Sequence, residues 1–227
     1  MVGRGLRLRR VYDGGSVRMK AYHTGVFGSS GGGKTTLLRE MQATFSGVSI
    51  FVDFTQNGTD NVPGVKVASI DDAVTAVGRT QAWDSVRLHW RLPPGDGAIR
   101  GGREIRRFAH RIAKKAKVPV QVIVDEAQNV LHEDIDEQNP YKSMLHEDRD
   151  MGIKVVVSTQ DPQDLKYGPI KQCTRYVWVG EYSAFHEGFI RYFGIDRSEL
   201  PTEPYKFVTL NRRMEPVERG ETKEQYA

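Results

Sequence analysis

The segment that most limits the possible folds of this chain is a glycine-rich stretch between an apolar strand and an amphipathic helix. It reads VFGSSGGGKTTLLRE from Val26 to Glu40, and it contains the pattern Gly28-x-x-x-x-Gly33-Lys34-Thr35. Glycines let backbone N–H groups turn inward around phosphate groups, and the helix that follows adds the positive end of its dipole. The pattern therefore predicts a phosphate-binding loop at the carboxyl end of a first core strand.

The positions of this loop have distinct predicted roles. Lys34 would reach the β- and γ-phosphates of a nucleoside triphosphate, and the hydroxyl of Thr35 would bind Mg²⁺. The other positions expected to contact the nucleotide are Gly28, Ser29, Ser30, Gly31, Gly32, Gly33 and Thr36. The alternative is a strand-to-helix loop without a ligand. The loop alone does not distinguish a kinase from a switch or a motor.

Apolar segments with strand and helix periodicity alternate along the chain, and several strands are apolar throughout. That pattern is typical of a parallel sheet covered on both faces. The predicted strands are 21–27, 48–54, 65–69, 85–92, 118–128, 152–160, 175–180 and 205–210. The predicted helices are 33–45, 70–78, 103–117, 140–151 and 183–193, with a loop at 92–102. We therefore expect an α/β fold with a mainly parallel sheet, helices on both faces and functional groups at the carboxyl ends of the strands.

Length and composition favour one folded domain, since 227 residues suffice for an α/β domain with a sizeable core. We expect an N-terminal arm at 1–18, a single domain at 19–210 and a charged C-terminal tail at 211–227. No apolar run approaches the ~20 residues needed to cross a bilayer, so the chain is not predicted to be transmembrane. The single cysteine, Cys173, cannot form an internal disulfide and is expected in the core.

Positive charge is concentrated in two segments of a chain whose net charge is +4. The stretch from Arg100 to Lys117 holds eight Lys or Arg residues against one Glu, and the first twenty residues hold six against one Asp. Such clusters suit a polyanionic partner. The alternatives are a solvated helix face and a frayed terminal arm. In helix 103–117 the apolar positions share one face, so the basic residues fall mainly on the other.

A second candidate motif, VQVIVDEAQ, ends an apolar strand with two adjacent acids. Asp125 at the strand end can hold the ligand shell of a Mg²⁺ ion. Glu126 can orient and polarise an attacking water, which is what a hydrolase requires. Two adjacent carboxylates could instead form a solvated turn. Their combination with a phosphate-binding loop about 90 residues upstream favours the catalytic interpretation.

The stretch RDMGIKVVVSTQDP supplies two further candidates. Gln160 ends the strand that follows the acidic motif, and its neutral amide can hydrogen-bond both a γ-phosphate and a water; the alternative is a turn residue. Arg149 precedes that strand, and its guanidinium suits the charge of a phosphoryl-transfer transition state. From spacing alone, a surface arginine paired with Asp148, Asp150 or Glu147 is the better interpretation of Arg149.

Other polar and aromatic residues give weaker signals. Asp53 ends a predicted strand near the same edge and could touch the nucleotide or a partner subunit, or it could be a plain turn residue. The six histidines show no metal-ligand spacing, so structural or surface roles are expected for them. The three tryptophans are expected in the core or in an interface.

Taken together, the motifs GSSGGGKTT, VIVDEAQ and RDMGIKVVVSTQDP resemble the HerA/FtsK superfamily of ring-forming DNA-pumping ATPases. In that family an arginine, a glycine turn, an apolar strand and a terminal Thr-Gln or Ser-Gln follow one another. The matching positions are Arg149, Gly152, Val155 to Val157, Thr159 and Gln160. The resemblance covers roughly residues 20–180. The strand before the phosphate-binding loop departs from the pattern because His23 and Thr24 make it less apolar.

The resemblance implies a RecA-like P-loop core that binds ATP and Mg²⁺. It also implies that Arg149 is an arginine finger reaching a neighbour's γ-phosphate, that Gln160 is a γ-phosphate sensor, and that the chain forms a homo-oligomer, by analogy a hexameric ring. From a length of 227 residues, we do not expect the membrane domain or winged helix of FtsK or the N-terminal barrel of HerA. A nearly bare motor core is similar to the genome-packaging ATPases of tailless, membrane-containing viruses.

The leading hypothesis is an ATP-driven translocase that packages viral double-stranded DNA in the host cytoplasm. Its further partners would be capsid or virion membrane proteins, and association with the virion is a second location. Within the class, the alternatives are a plasmid or conjugation pump and a filamentous-phage assembly ATPase. In other classes, Glu126 argues against a P-loop kinase, and the intact motifs argue against a scaffold with a relic loop. No Asn-Lys-x-Asp guanine reader is present for a GTPase.

Overall fold

The computed structural model describes residues 21–54, 62–79, 83–132 and 138–222, which form one α/β fold around a nine-stranded sheet. Its strands are β1 (Thr24–Phe27), β2 (Val48–Asp53), β3 (Val65–Val67), β4 (Arg87–Arg91), β5 (Val120–Val124), β6 (Ile153–Thr159), β7 (Arg175–Val179), β8 (Lys206–Asn211) and β9 (Pro216–Glu221). Their order is β3-β4-β2-β5-β6-β1-β7-β8-β9. The first seven strands in that order are parallel to one another, and β8 is antiparallel to both of its neighbours, β7 and β9. The predicted mainly parallel sheet is therefore confirmed.

Helices cover both faces of the sheet, as predicted, but very unequally. They are α1 (Lys34–Thr44), α2 (Ile70–Gly78), α3 (Asp96–Lys115), α4 (Pro140–Glu147), α5 (Tyr167–Ile170) and α6 (Glu187–Phe193). The apolar side chains of α1 join a small cluster on one face, which includes Val26, Ile123 and Val156. The other five helices contribute to the larger core on the opposite face. Successive side chains of a strand point to opposite faces of the sheet, so the same buried strands contribute to both clusters.

Helix α3 begins earlier than the sequence predicts. The predicted loop at 92–102 overlaps the helix from Asp96 onward, so that prediction is wrong over 96–102. The glycines there signal close packing instead of a turn. A Cβ on Gly101 would lie 2.1 Å from Leu92 Cδ2, and one on Gly102 would lie 2.6 Å from Tyr141 Cε2. Small residues at these positions let the helix approach its neighbours, an advantage that outweighs their low helix propensity.

The sheet also extends beyond the predicted domain boundary. The sequence predicts a charged tail from 211 onward, but β9 pairs with β8 in an antiparallel hairpin over Pro216–Glu221. This edge strand is mostly exposed, so it lacks the apolar alternation that marks a half-buried strand. The predicted N-terminal arm at 1–18 lies outside the described residues.

The polar start of the first strand has a structural cause. His23 is fully buried, and its Nδ1 accepts a hydrogen bond of 3.0 Å from the backbone N–H of Val155. Burial, aided by the nearby Arg149 charge, lowers the pKa of His23 to about 4, so the ring is neutral at pH 7. A hydrogen-bonded neutral imidazole can therefore stand where an apolar residue is expected.

Most of the remaining core predictions agree with the structure. Trp90 and Trp178 are buried, whereas Trp83 is exposed and does not lie in the core. Cys173 is a buried free thiol. None of the helices in the described part of the chain is long and apolar enough to cross a membrane.

Candidate nucleotide-binding site

The glycine-rich loop lies where the sequence predicts it, between the carboxyl end of β1 and the first residue of α1. The N-cap of α1 is Gly33, which has a left-handed backbone with φ of 99°. The loop closes on itself through a 3.2 Å hydrogen bond from Gly32 N–H to the Ser29 carbonyl. Ser30 and Gly31 are exposed, and Thr35 and Thr36 are partly buried in the first turn of α1. The loop therefore has the strand–turn–helix geometry that an anion-binding loop requires.

Close packing against the rest of the sheet explains why glycines are needed. A Cβ on Gly28 would lie 2.0 Å from the carbonyl oxygen of Val179 in β7. A Cβ on Gly33 would lie 2.8 Å from the Tyr205 ring and 3.1 Å from Thr222 Oγ1. The Tyr205 N–H also donates a 2.9 Å hydrogen bond to the Gly32 carbonyl. The β7 end and the β8–β9 hairpin thus hold the loop in shape from outside.

Lys34 is the buried cation of the site. Its ammonium donates 2.7 Å hydrogen bonds to the carbonyls of Gly28 and Ser29. Burial lowers the pKa of Lys34, and the charges of Glu126 and Asp125 counteract that effect. The ammonium thus lies inside the loop and within electrostatic reach of both acids. This is the charge arrangement expected of a lysine that meets phosphate oxygens.

Asp125 and Glu126 follow the last residue of β5, at the same edge of the sheet. Burial of the carboxyl, followed by the charge of Glu126, raises the pKa of Asp125 to about 6. A cation near this acid would favour its ionised form. Glu126 has a left-handed backbone (φ 49°, ψ 53°), which costs a non-glycine residue on the order of 1–3 kcal/mol. Such a backbone persists because neighbouring hydrogen bonds hold it.

Those hydrogen bonds join Glu126 to four neighbours. Its backbone N–H donates to Asp125 Oδ1 at 3.1 Å, and its carbonyl accepts from Asn129 Nδ2 at 2.9 Å. Its Oε2 accepts a 2.7 Å hydrogen bond from Gln128 Nε2, and its Oε1 accepts one from Gln160 Nε2. The carboxylate is therefore aimed by two side-chain amides. Gln128 is not evident as a site residue from the sequence, where only its place in the VDEAQ motif indicates it.

Gln160 is thus brought to Glu126, although 34 residues separate them in the chain. Thr159 before it donates a 2.7 Å hydrogen bond to Gln128 Oε1, which fastens the end of β6 to the residues after β5. The backbone carbonyl of Gln160 accepts a 2.9 Å hydrogen bond from His186 Nε2. The structure consequently joins Lys34, Glu126 and Gln160 in one site, together with a histidine that sequence reasoning assigned to a structural or surface role.

Arg149 lies far from these residues in its own chain. It belongs to a short 3₁₀ helix that precedes β6, whereas Gln160 follows the carboxyl end of that strand. A seven-residue strand spans about 23 Å, so Arg149 cannot reach the phosphate-binding loop of the same chain. Because β6 is the central strand of nine, Arg149 lies at the amino ends of the strands in the middle of the sheet and not toward a lateral edge.

The local surroundings of Arg149 differ from a simple surface pair. Asp148 and Glu147 instead bind Arg106 of α3, at 2.9 Å and 2.6 Å. Asp148 also lies 2.8 Å from His110 Nε2. Among the described residues, the Arg149 guanidinium has no ion pair or hydrogen bond. The pairing of Arg149 with Asp148, Asp150 or Glu147 that spacing alone favours is therefore not observed.

Asp53 is 3% exposed and lies 3.3 Å from His89 Nε2 inside the sheet, so it has a buried partner already. On α3 the apolar residues are buried and most basic ones are exposed, as predicted. Arg106 is the exception, because its ion pairs with α4 and the turn after it fix it to the fold.

The donor set is compatible with Mg²⁺ and a nucleoside triphosphate. Within the described ranges no group of three or more His, Cys, Asp or Glu side chains could hold a metal alone. Mg²⁺ in nucleotide sites needs only one or two protein ligands, because phosphates and waters complete its octahedron. Asp125 and Thr35 are the residues that would supply them. The glycine cradle and the buried Lys34 ammonium fit the triphosphate.

No family model and no curated protein sequence matches the chain. Solved structures do. The genome-packaging NTPase B204 of Sulfolobus turreted icosahedral virus 2, in complex with ATP-gammaS, matches with a TM-score of 0.70 and 15% identity, over 89% of this chain and 98% of that one. The DNA-packaging ATPase B204 of Sulfolobus turreted icosahedral virus matches with a TM-score of 0.67 and 16% identity, over 91% and 100%.

A secretion ATPase is also similar. The cytoplasmic domain of the type VII secretion ATPase EccC from Thermomonospora curvata matches with a TM-score of 0.55 and 15% identity. That match covers 90% of this chain and 24% of the larger protein. At these identities the likeness establishes the fold. The chain therefore has the P-loop NTPase fold that viral genome-packaging NTPases and a secretion ATPase share.

Proposed function

We propose that this protein is an ATP-hydrolysing motor that moves double-stranded DNA, most specifically one that packages a viral genome. The observation that carries the proposal is a group of polar side chains brought together at the carboxyl ends of the parallel strands. Lys34 sits inside the phosphate-binding loop, and Glu126 is aimed by Gln160 and Gln128. The likeness to packaging NTPases over their full length supports the choice of cargo.

Hydrolysis is the chemistry that this set of residues favours. Glu126 would take a proton from the attacking water, since its carboxylate is already held in position by two amides. Lys34 and the loop N–H groups would bind the phosphates, and Asp125 and Thr35 would hold a Mg²⁺ ion, which supplies positive charge against the phosphate oxygens. A kinase must keep water from the γ-phosphate, and a positioned carboxylate beside it would work against that.

The site would be completed by a neighbouring subunit. Arg149 cannot reach its own loop, and among the described residues its guanidinium has no ion-pair partner. An arginine finger supplied from the next chain would stabilise charge in the transition state. A homo-oligomeric ring, by analogy a hexamer, is the arrangement in which every site gains such an arginine.

DNA binding is supported by charge. Exposed basic residues lie at helical spacing along one side of α3, and we call this set the α3 stripe. Its members are Arg100, Arg103, Arg107, Arg111 and Lys114. The stripe extends for about 21 Å at 1.5 Å per residue, which suits contacts with several phosphates.

The place of action would be the host cytoplasm or the virion, with capsid or virion membrane proteins as further partners.

The test is a steady-state ATPase assay with and without double-stranded DNA, run beside a measurement of assembly state by light scattering. We expect DNA to stimulate hydrolysis by an oligomeric form. Single-stranded DNA and a polyanion such as heparin are the matched controls for cargo. Hydrolysis by an oligomer without any response to DNA would contradict DNA as the cargo and would indicate an ATPase with another function. No hydrolysis in any assembly state would overturn the whole proposal.

A further inference from the structure

The segment after β7 touches two separate parts of the candidate site. At its start, Gly180 packs against the phosphate-binding loop: a Cβ on Gly180 would lie 2.7 Å from Gly32 Cα. The Glu181 carbonyl accepts a 3.0 Å hydrogen bond from Ser29 Oγ. At its end, His186 Nε2 lies 2.9 Å from the Gln160 carbonyl. This segment, Gly180–His186, therefore bridges the phosphate-binding loop and the end of β6.

The hydrogen bonds of His186 settle which ring nitrogen carries the proton. The backbone N–H of Ser183 donates to Nδ1 at 2.9 Å, so Nδ1 must be the bare nitrogen. The proton is then on Nε2, which donates it to the Gln160 carbonyl. One neutral tautomer satisfies both contacts, because a doubly protonated ring would set two donors against each other at Nδ1.

Packing leaves the imidazole little freedom. His186 is 2% exposed, and its ring meets that of Trp178 edge-on at a centroid distance of 5.2 Å. Trp178 is itself buried in β7. A ring fixed on both nitrogens and against a buried indole holds the peptide after Gln160 in one orientation. That peptide sets the direction from which the Gln160 side chain reaches Glu126.

We infer that His186 is a positioning residue for phosphate sensing, which acts by holding Gln160 at a fixed place relative to the phosphate-binding loop. The inference rests on the proposed function, because it takes Gln160 as the group that meets the γ-phosphate. His186 touches no reacting atom. It links the segment Gly180–His186, which packs against the phosphate-binding loop, to Gln160, which would contact the γ-phosphate.

Two substitutions separate the contacts of the ring. His186→Asn places an oxygen near the position of Nδ1, so it keeps an acceptor for Ser183 N–H and loses the donor to Gln160. His186→Gln places an amide nitrogen near the position of Nε2, so it keeps the donor to Gln160. We expect His186→Asn to lower kcat for ATP by about ten- to a hundred-fold, the range for a misplaced catalytic group. We expect His186→Gln to retain most of the parent kcat.

Binding and folding are measured on the same variants. The Kd for a non-hydrolysable ATP analogue should stay within about threefold of the parent in both, since neither contact holds the nucleotide in the ground state. Thermal unfolding midpoints give the stability of each variant. A purely structural histidine would lower the stability of both variants and leave kcat per bound nucleotide unchanged. That result would overturn the inference.

A double-mutant cycle tests whether the effect passes through Gln160. In a Gln160→Ala background no amide remains to be aimed, so adding His186→Asn should change kcat little. An equal loss of kcat in both backgrounds would also overturn the inference. A parent protein that hydrolyses no ATP would instead contradict the proposed function, so the two failures are distinguishable.

Discussion

The two ends of the central strands differ in how their charged groups are partnered. At the carboxyl end, Lys34, Glu126 and Gln160 all have hydrogen-bond partners inside the chain. At the amino end, the Arg149 guanidinium has none among the described residues, while its acidic neighbours Glu147 and Asp148 bind Arg106. The difference teaches that the polar side chains at the carboxyl end are already fixed by partners in their own chain, whereas the amino end holds a cation without a side-chain partner in the described part of the chain.

The largest expected effect is that of replacing Arg149, the cation at the amino end that is unpaired among the described residues. If the arginine acts on the neighbouring chain, Arg149→Ala should lower ATP turnover by roughly 10³–10⁵-fold. The folded protein should still bind nucleotide, because the loop and Lys34 are unchanged. Turnover of the parent protein should also rise more steeply than linearly with protein concentration. Both quantities come from steady-state assays over a dilution series.

A mixing experiment makes the Arg149 prediction sharper. Arg149→Ala and Glu126→Gln are each expected to be inactive alone. In mixed rings, an intact Arg149 from one variant would meet an intact Glu126 from the other, and part of the activity should return. Full activity of Arg149→Ala by itself, or of a verified monomer, would make Arg149 an ordinary surface residue.

The next effect concerns the carboxyl end. Glu126→Gln should lower kcat by about 10²–10⁴-fold, the usual contribution of a general base, and should leave ATP binding intact. Lys34→Ala is the contrasting variant, because it removes a charge that meets the phosphates in the ground state as well. It should weaken binding of a non-hydrolysable analogue, measured by calorimetry. Parent-like turnover by Glu126→Gln would assign the base to another residue.

A third prediction uses the opposite pH responses of the two ends. The folded pKa of His23, about 4, lies below its usual 6.5, so its share of stability is complete above pH 6.5 and is lost as pH falls toward 4. That loss amounts to about 2 kcal/mol between pH 7 and pH 5. The raised pKa of Asp125, about 6, has the opposite sign, since protonation stabilises the fold as pH falls through 6.

The two responses are separated with His23→Asn, whose side-chain oxygen can still accept from Val155 N–H. Urea unfolding of the parent and the variant at pH 7 and pH 5 gives two differences. Their comparison removes the contribution of Asp125. We expect the parent to lose more stability on acidification than His23→Asn does. Equal losses would mean that His23 titrates normally in the folded protein.

The smallest effect concerns the α3 stripe and its paired neighbour. Replacing Arg107, Arg111 and Lys114 by Gln should flatten the log–log salt dependence of duplex DNA binding by up to about 2.7, at 0.9 per phosphate contact. Arg106→Gln is the matched control. Because Arg106 is bound to Glu147 and Asp148, its loss should lower stability and leave the slope unchanged. An unchanged slope in the triple variant would assign this face to a protein partner or to solvent.

Local patterns predicted much of this architecture. The phosphate-binding loop needs glycines at fixed positions, and buried parallel strands need continuous apolar runs, so both are visible in one stretch of sequence. The pair Asp125 and Glu126 follows directly from such a strand. Their chemical roles, and those of Gln160 and Arg149, stay predictions until the variants above are measured.

The features that sequence reasoning missed depend on distant contacts. Gly101 and Gly102 resemble a loop until Leu92 and Tyr141 are seen against them. His186 lies 26 residues from Gln160, and no spacing rule connects a backbone carbonyl to a histidine so far along the chain. Strand β9 gains its structure from pairing with β8, not from an apolar pattern of its own.

The lateral edges of the sheet restrict how copies of this chain can assemble. One edge strand, β9, begins with Pro216 and carries Glu218, Arg219 and Glu221, and the other, β3, has three residues. Proline, charge and shortness all oppose the addition of a foreign strand. Growth of the sheet from one molecule into the next is therefore disfavoured along both lateral edges. Contacts between copies would then involve the strand ends or the helices that cover the sheet. Copies joined by their strand ends would be arranged head to tail, so successive copies would all point the same way.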